Sequence, residues 1–149
     1  TLWPILHNRG TNFRVEEGHP NCIEGLKRPL HTIIPGMVLD HNGLSSLSYG
    51  VMGGQYQPVG QVHVLNNILD FEMSPQQAIT FPRAFHFSNI YKLEKEVSKE
   101  IKDGLSKIGH NVVHIDETHG GGQAIQIDRL KGKLIGGSDP RKDGYAKGY

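Results

Sequence analysis

Hydrophobic positions along the chain fall into short runs broken by glycine and proline, and their spacing alternates between strand-like and helix-like. The runs LHTIIPGMVL and LSSLSYGVM flank DHNG. Asn42-Gly43 between apolar segments is a strong hairpin signal, so strands near 30–40 and 44–51 are expected to pair antiparallel. The second strand delivers the chain to Gly53-Gly54. Beyond the glycines, PVGQVHVLNNILDF carries Val62, Leu65, Ile68 and Leu69 at helical spacing. SPQQAI predicts a second helix, with Ser74 as N-cap, Pro75 at the first position and Gln77 closing a capping box. SKEIKDGLSKIGH predicts a third, with Ile101, Leu105 and Ile108 as its apolar stripe and Gly109 as its stop. NVVHI, QAIQIDR and KLIGG read as strands, the last two joined by a turn at LKGK, while KLEKEVSKEIKDG reads as a solvated face. At the start, Ile5-Leu6 is a short apolar run ending in the polar turn HNRGTNF, and residues 14–29 form an irregular loop. Mixed runs without regular βαβ alternation predict one α+β domain with a largely antiparallel sheet.

Composition narrows the chemistry. The 149 residues carry 16 basic against 15 acidic side chains, and no basic-aromatic interleaving, which argues against nucleic acid. No apolar run approaches the ~18 residues of a membrane span. The single Cys22 excludes an internal disulfide framework, and its loop lacks the helix start that would activate a thiol. His110, His114 and His119 fall close together among nine histidines, but no carboxylate or thiol completes a metal set, so no metal is expected. The glycines of THGGGQ at 118–123 read as a mobile turn or a loop beside a ligand.

Gly53-Gly54 is the more informative pair. Adjacent glycines between a strand and a helix make either a tight turn or a place where two backbone N–H groups face an anion at a helix start. A phosphate loop would continue with Lys and Ser or Thr. Gln55-Tyr56 follows instead, which excludes the nucleotide motif and leaves both other readings open.

Three blocks together, KRPLHTIIPGMV, YGVMGGQYQPVGQVHVLNNILDFEMSPQQAITFPR and the terminal GGSDPRKDGYAKGY, resemble the γ-glutamyltransferase family, in its branch related to cephalosporin acylases. They occur in family order and cover the chain from about Ile5 to Tyr149. The resemblance implies an N-terminal-nucleophile hydrolase with stacked αββα layers, of which residues 1–149 supply the C-terminal, small-subunit part. It implies a self-cleaving precursor whose new N-terminal Thr attacks a γ-glutamyl or related acyl amide and passes the acyl group to an amino acid, a peptide or water. It calls for no cofactor, and for the large subunit of the same precursor as partner. The compartment is left open, with the cytoplasm favoured.

Gly53 and Gly54 match the family's oxyanion-stabilising pair. Other matches depart from the pattern. Where family transferases hold the glutamyl α-amino group with Gln or Glu and then Asp, this chain has Arg9 and Asn12. Where they place Ser-Ser against the α-carboxylate, it has His31 and Thr32. Loss of the Asp and gain of an Arg fit an acyl group with a distal carboxylate, of the glutaryl type; a structural Arg9 tying its turn to the sheet is the alternative. The Thr-Thr strand bearing the nucleophile has no match in TLWP, so Thr1 is not expected to be the nucleophile, and that segment is expected upstream. A different class remains beside this one: a non-catalytic fragment or degenerate homologue that only binds or assembles.

Overall fold

The computed structural model describes residues 7–149, so Ile5-Leu6 and Thr1 lie outside the described residues. The chain divides into two units, residues 1–33 and 34–149. In the first, a 3₁₀ turn at Arg9–Asn12 is followed by irregular backbone held by one bridge, in which the Arg14 N–H donates to the Asn21 carbonyl at 2.9 Å and the Ile23 N–H to the Arg14 carbonyl at 2.9 Å.

The second unit contains the regular elements. Strands β1 (Gly36–Leu39) and β2 (Ser45–Met52) form the expected hairpin. Its loop is held by Asp40, whose Oδ1 accepts from the Asn42 and Leu44 N–H groups, both at 2.9 Å. The first strand starts later than predicted, because Pro35 has no N–H to give a ladder. With β6 (Gly121–Asp128) and β7 (Lys133–Ser138) the hairpin builds a four-stranded antiparallel sheet in the order β1-β2-β6-β7.

Helices α1 (Gln57–Leu69) and α2 (Pro75–Thr80) cover one face of that sheet. Leu47, Val51 and Ala124 from the sheet meet Val64, Ile68, Ala78 and Ile79 from the helices in one core, which also holds Tyr56. Ser74 caps α2 in the predicted reciprocal arrangement with Gln77. The inward stripe of α1 differs from prediction. Val62 and Leu69 are 57% and 56% exposed, and the buried positions are Gly60, Val64, Asn67 and Ile68. A glycine and an asparagine stand on this face because the helix lies close to Tyr56 and because Asn67 Nδ2 donates to the Ala78 carbonyl.

A second, three-stranded sheet joins β3 (Ala84–Phe87), β4 (Ile90–Glu94) and β5 (Val112–Ile115), with β4 and β5 parallel and α3 (Lys99–Lys107) as the crossover. Two expectations fail here. KLEKEV is not wholly a solvated face, since Leu93 and Glu94 are buried on β4. The α3 stripe does not enter a core among the described residues, and Ile101 and Ile108 are more than half exposed. The α+β class with largely antiparallel sheets holds. No helix among the described residues is long and apolar enough to cross a membrane.

Candidate functional site

Gly53 and Gly54 leave the end of β2 and enter a 3₁₀ turn, Gly54–Tyr56, that runs into α1. Both lie at positive φ, +136° and +59°, where side-chain-bearing residues are strained. Gly53 is also tight, since a Cβ there would stand 2.8 Å from the Gly120 Cα. Neither N–H finds an acceptor among the described residues, and both glycines are exposed. The pair therefore offers two backbone donors at the positive end of a helix.

The wall behind the pair is the 119–122 segment, fixed by buried charges. Arg83 Nη1 donates to the His119 carbonyl at 2.7 Å, and its Nη2 pairs with Asp139 at 2.7 Å and reaches the Ile79 carbonyl at 2.9 Å. Asp139 accepts from the Gly122 N–H at 2.7 Å. Glu94 accepts from the His119 N–H at 2.8 Å and the Arg83 N–H at 3.0 Å, and Arg141 grips it with two donors at 2.6 and 3.0 Å. Burial pushes the Glu94 and Asp139 carboxyls up. Hydrogen bonds from Arg141 and backbone N–H groups outweigh that for both, together with the Arg83 charge beside Asp139, and leave both below their ordinary values. Both carboxylates are thus charged, paired and multiply bonded, the condition under which buried ions persist.

Aromatic rings complete the surroundings. Tyr56 stacks on His119 with centroids 5.3 Å apart and meets the edge of Phe85 at 5.4 Å. Burial pushes the Tyr56 hydroxyl up to about 12 and pulls His119 below its ordinary value. His119 Nε2 faces the Lys92 carbonyl at 3.2 Å, so the neutral ring carries its proton there. A cavity of about 330 Å³ opens between these rings and the backbone of Gly53 and Gly120.

The other predicted positions belong to the first unit. Arg9 and Asn12 share the 3₁₀ turn, where Asn12 Nδ2 donates to the Arg9 carbonyl at 3.2 Å. No carboxylate among the described residues pairs with Arg9. His31 and Thr32 are exposed on irregular backbone. The three clustered histidines separate: His119 is buried, His114 Nε2 faces the Val97 carbonyl at 2.9 Å, and His110 packs on Tyr91. Among the described residues no three metal-ligating side chains converge. Arg83, Glu94 and His119 carry no signal of their roles in the chain, because each meets its partners only across elements. The PR and DPR steps inside the resembling blocks are the nearest hint.

The model of the family described as gamma-glutamyltranspeptidase matches residues 4–149. A glutathione hydrolase-like YwrD proenzyme of Bacillus subtilis is 36% identical over 97% of this chain and 29% of its own length. An oxamate amidohydrolase proenzyme of Klebsiella pneumoniae is 31% identical, again over 97% of this chain and 29% of its own. The crystal structure of a cephalosporin acylase from Bacillus halodurans superposes with a TM-score of 0.80 at 35% identity, covering 95% of this chain and 27% of that one. The chain spans under a third of the length of these relatives.

Proposed function

This chain belongs to the gamma-glutamyltranspeptidase family, and on that premise we propose that it is the C-terminal, small-subunit part of an amidohydrolase that works through an acyl-enzyme. The nucleophile is an N-terminal Thr on a segment upstream, freed when a precursor cleaves itself, and the large subunit of that precursor is the partner. The Thr hydroxyl attacks the amide carbonyl while its own α-amino group takes the proton. Negative charge then gathers on the carbonyl oxygen. Gly53 and Gly54 supply two fixed N–H donors to it, which lowers the barrier without reorganisation. Collapse expels the amine, and water or an acceptor amine releases the acyl group. The reading rests on one observation above the rest: two glycines at positive φ, at a helix start, with N–H groups that no described residue uses.

The acyl group in this reading ends in a carboxylate held by Arg9, with Asn12, His31 and Thr32 around it. A guanidinium with no carboxylate partner among the described residues suits that group. One relative bears the name oxamate amidohydrolase, and oxamate is itself an amide with a carboxylate. The complete processed enzyme should hydrolyse glutaryl amides better than γ-glutamyl amides. Arg9→Gln with Asn12→Asp should move the kcat/KM ratio of the two donors toward γ-glutamyl by about tenfold or more, because an anion for the α-ammonium returns. An identical ratio in both proteins would show that Arg9 is structural. Precursor cleavage, read by intact mass, tests the upstream nucleophile separately.

A further inference from the structure

We infer that the cavity beside Gly53 holds the amine half of the amide, and that it selects an amine bearing an aromatic ring and a carboxylate, as in an aromatic amino acid. The inference rests on the amidohydrolase reading and deepens it. If Gly53 and Gly54 hold the carbonyl oxygen about 3 Å from their N atoms, the carbonyl carbon lies one bond beyond it, and its two other substituents must leave in different directions. The cavity that begins at Gly53 and Gly120 is built entirely within residues 34–149 and is open to one of the two, and its aromatic walls suit an amine that carries a ring better than an aliphatic acyl chain.

Its walls state the chemistry. Phe85 and Phe87 stack at 5.7 Å with 18° between their planes, and Phe87 stays 50% exposed at the mouth. Tyr56 closes the inner end, locked against His119 and Phe85. Such rigid rings favour another ring laid on or against them. Lys92 and Lys142 line the same cavity against one acid, Glu117, and neither lysine is engaged in an ion pair among the described residues. His119 is neutral near pH 7 and adds no charge. The excess is positive, which suits the carboxylate of an amino acid. At about 330 Å³ the space holds one amino acid rather than an extended peptide.

The test uses the complete processed enzyme and donors that share one acyl group and differ in the amine: the phenylalanine and alanine amides of both glutaryl and γ-glutamyl acids. The expected kcat/KM ratio favours phenylalanine by about tenfold or more, a typical return for filling an apolar subsite. Phe87→Ala should bring the ratio close to one, whereas Phe87→Trp should keep it. Phe87 is half exposed and outside the core, so neither change threatens folding. A wild-type ratio near one, or a ratio that Phe87→Ala leaves intact, overturns the inference. A shift in acyl preference in place of amine preference overturns it too, since the cavity would then hold the other half. If no donor of either acyl class is turned over, the amidohydrolase reading fails instead. Calorimetric titration with free phenylalanine and free alanine still reads the cavity in that case. Tighter phenylalanine binding that Phe87→Ala abolishes supports the inference, and equal binding of the two overturns it.

Discussion

Gly53 and Gly54 differ in what a methyl group would meet, and that difference makes them a matched pair of probes. At Gly54 the space is open and only the positive φ opposes a side chain. Gly54→Ala should therefore cost about 1–2 kcal/mol of stability while keeping its N–H in place. At Gly53 a methyl group runs into Gly120, so Gly53→Ala must push the donor itself aside. Turnover should then fall roughly 100-fold or more for Gly53→Ala and much less for Gly54→Ala, measured as kcat in the complete enzyme. Equal small losses would remove the oxyanion role. Proline at 54 deletes a donor but is a poor probe, since it needs φ near −65° and this residue sits at +59°. His119 gives a second residue-scale expectation. Its folded value lies below the ordinary 6.5, with burial the main cause, and burial also depresses His63. For a base shifted this way, the unfolded chain binds the proton more readily than the folded one. The stability it contributes is complete above the unfolded value and is lost as pH falls through about 6.5 toward the folded value. Urea midpoints should thus drop between about pH 7.5 and pH 5.5, and His119→Gln should flatten that slope. The lowered values of Glu94 and Asp139 act in the same direction but further down, from the ordinary carboxylate values toward their lower folded ones.

Between elements, the buried charges decide how firmly the pieces are joined. Arg83 follows α2, Glu94 ends β4, and Asp139 and Arg141 follow β7, so the four tie three parts of the unit together. Arg83→Met should cost about 3–5 kcal/mol in urea denaturation, because Asp139 then keeps its charge in a buried site. Adding Asp139→Leu should recover a good part of that loss, and a double variant as unstable as the single would refute the pairing. These ties were not legible along the chain. Glu94 reads as part of a solvated face and Arg83 gives no sign of burial, since the groups that neutralise them stand at 139 and 141. For the same reason β4 was masked: its residues sit in a charged stretch, and its two strand neighbours are remote in one case and short in the other. Local signals fared better. The hairpin loop, the Ser74 cap and the glycine pair all act within a few residues of one another, and each lies where its neighbours imply. The aromatic cavity draws Tyr56, Phe85 and His119 from three separate segments, so no spacing could announce it.

At the scale of the molecule, the four-stranded sheet has helices on one face only among the described residues. On the opposite face Met37, Met52, Ile125 and Leu134 point outward, and Leu134 is 71% exposed. The C-terminal segment already lies against part of this face, with Lys142 beside Gly121 and Ala146 beside Gly136, and the exposed apolar side chains call for further cover, which the large subunit supplies in the proposed enzyme. Expressed without that subunit, residues 1–149 should self-associate or precipitate, while co-expression with it should yield a monodisperse complex. Light scattering on both preparations checks this, and a monomeric, cooperatively melting chain alone would argue against the missing cover. The strand order also bears on how the chain is made. β2 ends at Met52, yet its neighbour β6 begins only at Gly121, and Arg83 must wait for Asp139. A ribosome delivers these segments in sequence, so β2 and a cation destined for the interior are outside the exit tunnel long before their partners. A premature stop codon ahead of position 139 therefore does not trim a tail. It withholds the counter-charge that lets Arg83 be buried, and late nonsense alleles of this gene should behave as complete losses.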